Sequence, residues 1–412
     1  MHLLRAQACS RRPNNKPKMH FLDHTGNEID TNTFANDLKQ IHFPNGKLRG
    51  IAAASDMDNT MFDNDLGTLV FLEKLSETDF WDFDMDEFGQ ILLPKKYREL
   101  LQKGADKQID DLKPALCRLA LDLGKDIINL YSAIRAKIRR HPGPNGEQML
   151  VEEFARKMIE LDRIFMMIDS ILSKYLNGEI LMRTRFFSGK HPSEIARLTR
   201  KVMKRERTNI GRRVPLLIHP ENAGVANQKI NENHIREVHG MVSPYESIDR
   251  VIKTIAITRD IIKTAIQELR IPTVVATGNL KAIAKTAISE SDYSFMEKQT
   301  YVRQKESSLV VGTWLRSAEN GTLHPKIQGK PVLGMRKARE ALQFATGIRK
   351  DLKLALGDSP STDGPMIANA LALNGVAVLV GQNIDSIRKR FEKVVPPETR
   401  YKEKIYYVVE DK

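Results

Sequence analysis

The chain has 412 residues, 41% hydrophobic and 28% charged, which is enough for a sizeable buried core in one large or two medium domains of an ordinary globular protein. Its net charge of +13 attracts polyanions without choosing among nucleic acid, anionic membrane and phosphorylated substrate. Two cysteines, Cys9 and Cys117, make neither a disulfide framework nor a metal-ligand cluster, so a reducing, cytoplasmic compartment is the expected setting.

Met1 to Lys18 carries Arg and Lys but only a brief apolar patch before Arg5, and so lacks the apolar core of a secretory signal. Residues 1–45 read as a basic tail and lead-in. Gly50 to Ser55 is then a short apolar run, read as a buried parallel strand that delivers Asp56 at its C-terminal end. The segment Asp56-Met57-Asp58-Asn59-Thr60 places two carboxylates two residues apart where the chain leaves a sheet, and extended alternation would send both to one side. One can attack phosphorus while the other moves protons, the division of labour that transfer through an aspartyl phosphate requires. An acidic turn would carry the same residues, so the segment alone is only suggestive.

About two hundred residues of mainly helical pattern separate this strand from the next, far beyond an ordinary connection, and residues 76–250 read as an inserted helical cap domain. Its clearest helices are Glu147 to Leu176 and Ser193 to Arg207, the latter opened by His191-Pro192-Ser193-Glu194. Loops are expected at His141 to Gly146 and around Pro220 to Asn233. The most apolar helical stretch, Ile159 to Leu176, is broken by Glu160, Asp162, Arg163, Asp169 and Lys174, so no membrane span is expected. Basic residues concentrate at Arg135 to Arg140 and Arg197 to Arg213. A solvated helix face is the commoner meaning of such runs, and contact with nucleic acid or a phosphoprotein the sharper one. Regularly interleaved aromatics, which single-strand binding uses, are missing near the second run.

The next apolar run, Ile271 to Ala276, delivers Thr277-Gly278-Asn279: a hydroxyl followed by a glycine whose backbone can approach an anion, or else a plain strand-to-helix turn. Leu309 to Gly312 reads as a further strand. Lys337 in Gly334-Met335-Arg336-Lys337 lies at the start of a predicted helix, from which it could reach the strand ends, although most such lysines lie on the surface. Leu352 to Gly357 delivers Asp358, with Asp363 following on a Gly/Pro/Ser loop that an Asx turn would also explain. Mg²⁺ demands hard oxygen ligands, and Asp56, the Asp58 carbonyl and Asp358, with phosphate and water, make a plausible set. Val376 to Val380 is another strand, and residues 396–412 read as a C-terminal tail. Strands alternating with helices predict a doubly wound, Rossmann-like α/β sheet built from residues 46–75 and 251–395. In such sheets ligands bind outside the carboxyl ends of the strands, where Asp56, Thr277 and Asp358 would converge.

Taken together, DMDNT at Asp56 to Thr60, ATGN at Ala276 to Asn279, Lys337 in GMRKA and GDSPSTD at Gly357 to Asp363 resemble the haloacid dehalogenase superfamily, in its phosphoserine-phosphatase-like branch. The stretches Val310 to Ala338 and Phe186 to Leu198 are similar to the same branch, and the resemblance covers residues 50–75 and 180–385. It implies Asp56 as nucleophile, Asp58 as general acid and base, and Thr277 and Lys337 as stabilisers of phosphate and phosphoaspartate. It further implies Gly278 and Asn279 as substrate-binding residues, Asp56, Asp58 and Asp358 as Mg²⁺ ligands, and Asp363 as a residue that binds or orients a metal water. Asp65 falls where phosphoserine phosphatases carry a substrate-reading glutamate, while Arg316 stands where many relatives have glutamate, and the insertion is longer than theirs. The expectation is a Mg²⁺-dependent hydrolase of a small phosphomonoester. A phosphotransferase would use the same core with an alcohol as acceptor, and a binding module would use the basic insertion instead.

Overall fold

The computed structural model describes residues 18–44, 46–63, 65–75, 77–107, 109, 113–140, 153–162, 164–165, 185–208, 213–215, 247–249, 252–299, 309–327, 332–395 and 398–410. Seven short runs form one sheet: β1 Met19–Leu22, β2 Ile51–Ser55, β3 Thr273–Leu280, β4 Val310–Thr313, β5 Asp351–Gly357, β6 Val376–Gly381 and β7 Ile405–Glu410. Their order across the sheet is β1-β7-β6-β5-β2-β3-β4. Every adjacent pair is parallel except β1 with β7, which is antiparallel.

Alternation within the strands explains why the sheet is buried on both sides. Ile51 and Ala53 of β2, Val376, Val378 and Val380 of β6, and Tyr406 and Val408 of β7 face one apolar cluster. Ala52 and Ala54, Ala377 and Leu379, and Ile405, Tyr407 and Val409 face the other. Strands apolar on both faces need a layer on each, which is the pattern of parallel α/β sheets. The second face is covered by the helices Gly334–Gly347, Gly364–Ala372 and Ile384–Phe391 through Ala341, Phe344, Met366, Ile367, Ile387 and Phe391. The first is covered by the helices Thr31–Asp37, Leu66–Leu75, Ala256–Lys263 and Lys281–Ser289 and by the insertion.

Two expectations about the ends of the chain are corrected. Met19–Leu22, inside the expected lead-in, and Ile405–Glu410, inside the expected C-terminal tail, are strands of the sheet, and β7 lies between β6 and β1. The physical reason is ordinary: IYYVVE is buried over its first five positions, and such a run needs partners on both sides.

Between β2 and β3 the described part of the insertion is mainly helical, with Met85–Leu92, Lys95–Asp106, Pro114–Arg140, residues 153–162 and Pro192–Thr208. An aromatic cluster organises it: Phe88 stacks on Tyr131 with ring centroids 3.8 Å apart, and Phe80 meets Trp81, Phe154 and Phe186 edge-on or tilted. These rings belong to the same continuous apolar core as the first face of the sheet. The Pro192–Thr208 helix packs on the 66–75 and 281–289 helices, burying Ile195, Leu198, Val202 and Met203. Three of its basic residues are paired there: Arg197 with Glu77 at 2.5 Å, Lys201 with Glu73 at 2.7 Å and Arg200 with Glu290 at 2.8 Å. The expected loops at His141 to Gly146 and Pro220 to Asn233, and much of the expected helix Glu147 to Leu176, lie outside the described residues. Among the described residues no helix is long and apolar enough to cross a membrane.

Candidate active site

The site is assembled at the C-terminal ends of β2, β3 and β5. Asp56 follows β2, and its N–H donates to the Leu356 carbonyl at 2.9 Å, so parallel pairing carries the carboxylate to the sheet edge before the chain turns. The turn closes through Met61 and Phe62, whose N–H groups both donate to the Met57 carbonyl at 2.9 and 3.1 Å. Asn59 sits at φ +54°, a left-handed conformation that asparagine tolerates better than most residues. The buried Thr60 hydroxyl donates to Asp358 Oδ1 at 3.3 Å and ties this turn to the loop after β5.

Asp58 is held from two directions. Its Oδ1 accepts from the Leu66 N–H at 2.9 Å, at the start of the 66–75 helix, and its Oδ2 accepts from Asn279 Nδ2 at 2.6 Å. That helix is capped by Asp65, whose Oδ1 accepts from the Thr68 N–H at 3.0 Å and whose Oδ2 accepts from the Thr68 hydroxyl at 2.9 Å. Asp65, expected at a substrate-reading position, therefore serves as the N-cap; a carboxylate directly before a helix finds its nearest donors in the free N–H groups of the first turn. Asn279, expected to bind substrate, donates its amide Nδ2 to Asp58.

Thr277 is fully buried, and its hydroxyl accepts from the Asn279 N–H at 3.1 Å. The strand expected to stop at Ala276 continues through Leu280, with a register shift against β4 between Thr277 and Leu280. The Gly278 carbonyl accepts from the Thr313 hydroxyl at 2.7 Å. A Cβ at Gly278 would stand 2.5 Å from Leu333 Cδ2, so any larger residue there requires the Leu333 side chain to shift.

Lys337, in the first turn of the 334–347 helix, is 1% exposed, and Asp363 is 0% exposed. The Lys337 ammonium donates to Asp56 Oδ1 and, at 2.5 Å, to Asp363 Oδ1. Asp363 Oδ1 also accepts from the Thr362 hydroxyl at 3.1 Å, while its Oδ2 accepts from the N–H groups of Asp358 and Ser359, each at 3.0 Å. Gly357 lets Asp363 this close, since a Cβ there would lie 2.7 Å from Asp363 Cβ. Carboxylate oxygens of Asp56, Asp358 and Asp363 all lie within 4.8 Å of one another.

Burial, and then the negative charge of Asp363, push the Asp56 carboxyl up to about 6 against the opposing pull of Lys337. Burial, Asp363 and Asp56 together raise Asp358 well above the carboxylate range, with Lys337 and Arg390 opposing. For Lys337 burial works toward the neutral amine, but Asp363 and Asp56 outweigh it and hold the ammonium above the ordinary lysine range. The result is a crowded set of acids around one buried cation.

Asp56, Thr277, Lys337, Asp358 and Asp363 thus come together with Asp58, Gly278 and Asn279, and Asp65 stays on its helix cap. Two contributors carried no sequence signal. Arg390 donates to the Asp358 carbonyl at 2.7 Å from a helix after β6. Gly67 leaves room for Asn279: a Cβ at Gly67 would overlap Asn279 Oδ1 at 1.9 Å.

No protein-family model matches the chain, and no curated protein matches it. Among solved structures, a crystal structure of a conserved, functionally unknown protein from Anaerococcus prevotii is similar over 95% of this chain and 96% of that one. Its TM-score is 0.56 at 13% sequence identity, a likeness of fold alone.

Proposed function

We propose that the protein is a Mg²⁺-dependent phosphomonoester hydrolase of the haloacid dehalogenase type, working through an aspartyl phosphate on Asp56, with the helical insertion as its substrate-selecting cap. The observation that carries this reading is the buried Lys337 shared between Asp56 and Asp363, with the Asp358 carboxylate beside them at the strand ends. A buried ammonium between two carboxylates is costly unless it neutralises charge that the site must hold, and phosphoryl transfer brings such charge.

The donor set fits a magnesium ion in part. Asp56 and Asp358 offer hard oxygens whose mutual repulsion a cation would relieve, and the Asp58 carbonyl would complete the protein's share. Asp363 has four donors on its two oxygens, so it fits better as the brace of Lys337 and of the Asp358 loop than as a ligand. When bound, the ion supplies charge neutralisation at the phosphoryl oxygens.

In the first half-reaction an Asp56 oxygen forms a bond to phosphorus as the bond to the leaving oxygen breaks, and Asp58 gives that oxygen its proton. In the second, Asp58 takes a proton from water, whose oxygen attacks phosphorus and frees the Asp56 carboxylate with inorganic phosphate. Lys337 stays charged throughout and balances Asp56 and the phosphoryl group.

The direct test is Mg²⁺-dependent phosphate release from p-nitrophenyl phosphate, with hydroxylamine-labile phosphate on the protein as the mark of the intermediate. Asp56→Asn should lose turnover by at least roughly a hundredfold and form no phosphoprotein. Near wild-type turnover by a well-folded Asp56→Asn protein would exclude the mechanism.

A further inference from the structure

Asn279 is 3% exposed, and three observations fix what its side chain does. Its Nδ2 donates to Asp58 Oδ2 at 2.6 Å. Its backbone N–H is held by the Thr277 hydroxyl at 3.1 Å, which anchors the residue to β3. Its carboxamide fills the space over Gly67, where an added Cβ would lie 1.9 Å from Asn279 Oδ1 and 2.8 Å from its Cγ. Gly67 is the residue next to Leu66, whose N–H holds the other oxygen of Asp58 at 2.9 Å. A carboxylate on a turn has a broad, soft terminal torsion, and a donor on each oxygen leaves it one orientation.

We propose that Asn279 is a positioning residue for the hydrolytic half-reaction, setting the orientation in which Asp58 receives the proton of the attacking water, and that Gly67 is the residue that makes room for it. This rests on the assignment of Asp58 as the proton-handling group. An aryl leaving group departs without a proton, so formation of the phosphoaspartate from an aryl phosphate does not depend on the orientation of Asp58. Hydrolysis of the phosphoaspartate does depend on it, and small misplacements of a catalytic group cost one to two orders of magnitude. Loosening the clamp therefore separates the two steps.

The experiment is rapid mixing of the full chain with Mg²⁺ and p-nitrophenyl phosphate, read as the nitrophenolate burst, the steady-state rate and the hydroxylamine-labile phosphate on the protein. Asn279→Ala should keep the burst rate within about threefold of wild type and leave KM nearly unchanged, while steady-state turnover falls by roughly ten- to a hundredfold and phosphoprotein accumulates. Gly67→Ala, which displaces Asn279 without touching Asp58, should give the same pattern, and the double variant should be no worse than the worse single one. Asn279→Ser, too short to reach Asp58, replaces the alanine variant if that one does not fold. Equal loss of burst and steady state would assign Asn279 a merely structural role and overturn the proposal. So would a raised KM with kcat unchanged, which would mark contact with substrate, or additive losses in the double variant. If wild type forms no phosphoprotein, the assignment of Asp56 fails first and the clamp falls with it. Wild-type phosphoprotein with unaltered turnover in both single variants overturns the clamp alone.

Discussion

Lys337 lies in the first turn of the 334–347 helix. On a helix start a lysine is ordinarily a surface residue, and this one is buried because Asp56 and Asp363 arrive from two other segments to meet it. The same crowding governs how the site responds to pH. With its carboxyl raised from the ordinary value to about 6, Asp56 holds a proton more tightly folded than unfolded, so its contribution to stability declines as pH rises through that window. Lys337 is raised in the folded state, and its contribution is complete below the ordinary lysine range and lost only above it. A cation competes with the Asp56 proton. Saturating Mg²⁺ should therefore raise the melting temperature clearly more at about pH 7.5 than at about pH 5. Thermal scans with and without Mg²⁺ at the two pH values check this, and an equal gain at both would remove Asp56 from the ligand set.

At the scale of single elements the 66–75 helix does two jobs at one end: Asp65 caps it, and its first N–H holds Asp58. Asp65→Ala should cost about 1 kcal/mol of stability, the usual loss for an N-cap, with KM for a small aryl phosphate unchanged. Denaturant midpoints beside steady-state kinetics decide it; a large rise in KM at unaltered stability would return Asp65 to the substrate. How far the sequence discloses such elements depends on whether their signal is local. β2, β5 and β6 are short apolar runs that end in polar turns, and their bounds are readable within about a residue or two. β3 overruns its expected end because Thr277 and Leu280 pair with β4, a contact no local pattern announces. Asp56 and Asp358 are legible, since each directly follows a short apolar run that reads as a strand. Gly67 is not, because a glycine early in a helix means nothing until Asn279 is seen packed against it.

Across the whole molecule the sheet ends on the β1 side in an antiparallel strand that covers β7, register running from Met19 opposite Glu410 to Leu22 opposite Tyr407. Removing residues through Leu22 would leave β7 with an open edge of unpaired backbone groups. A chain so shortened should associate at concentrations where the longer one stays monodisperse by light scattering, because bare edges template pairing between chains. Unchanged dispersity would mean that β1 is dispensable as a cover. The strand order has a temporal side as well. β2 carries Asp56 at its tip, and both of its neighbours, β3 and β5, are encoded beyond the insertion. On the ribosome, IAAAS emerges first and waits without a partner while the entire helical segment is translated. In the proposed mechanism a nascent chain stalled inside that segment already holds Asp56 and Asp58 but lacks Lys337, Asp363 and Asn279, so the site is incomplete until the strands beyond the insertion are made.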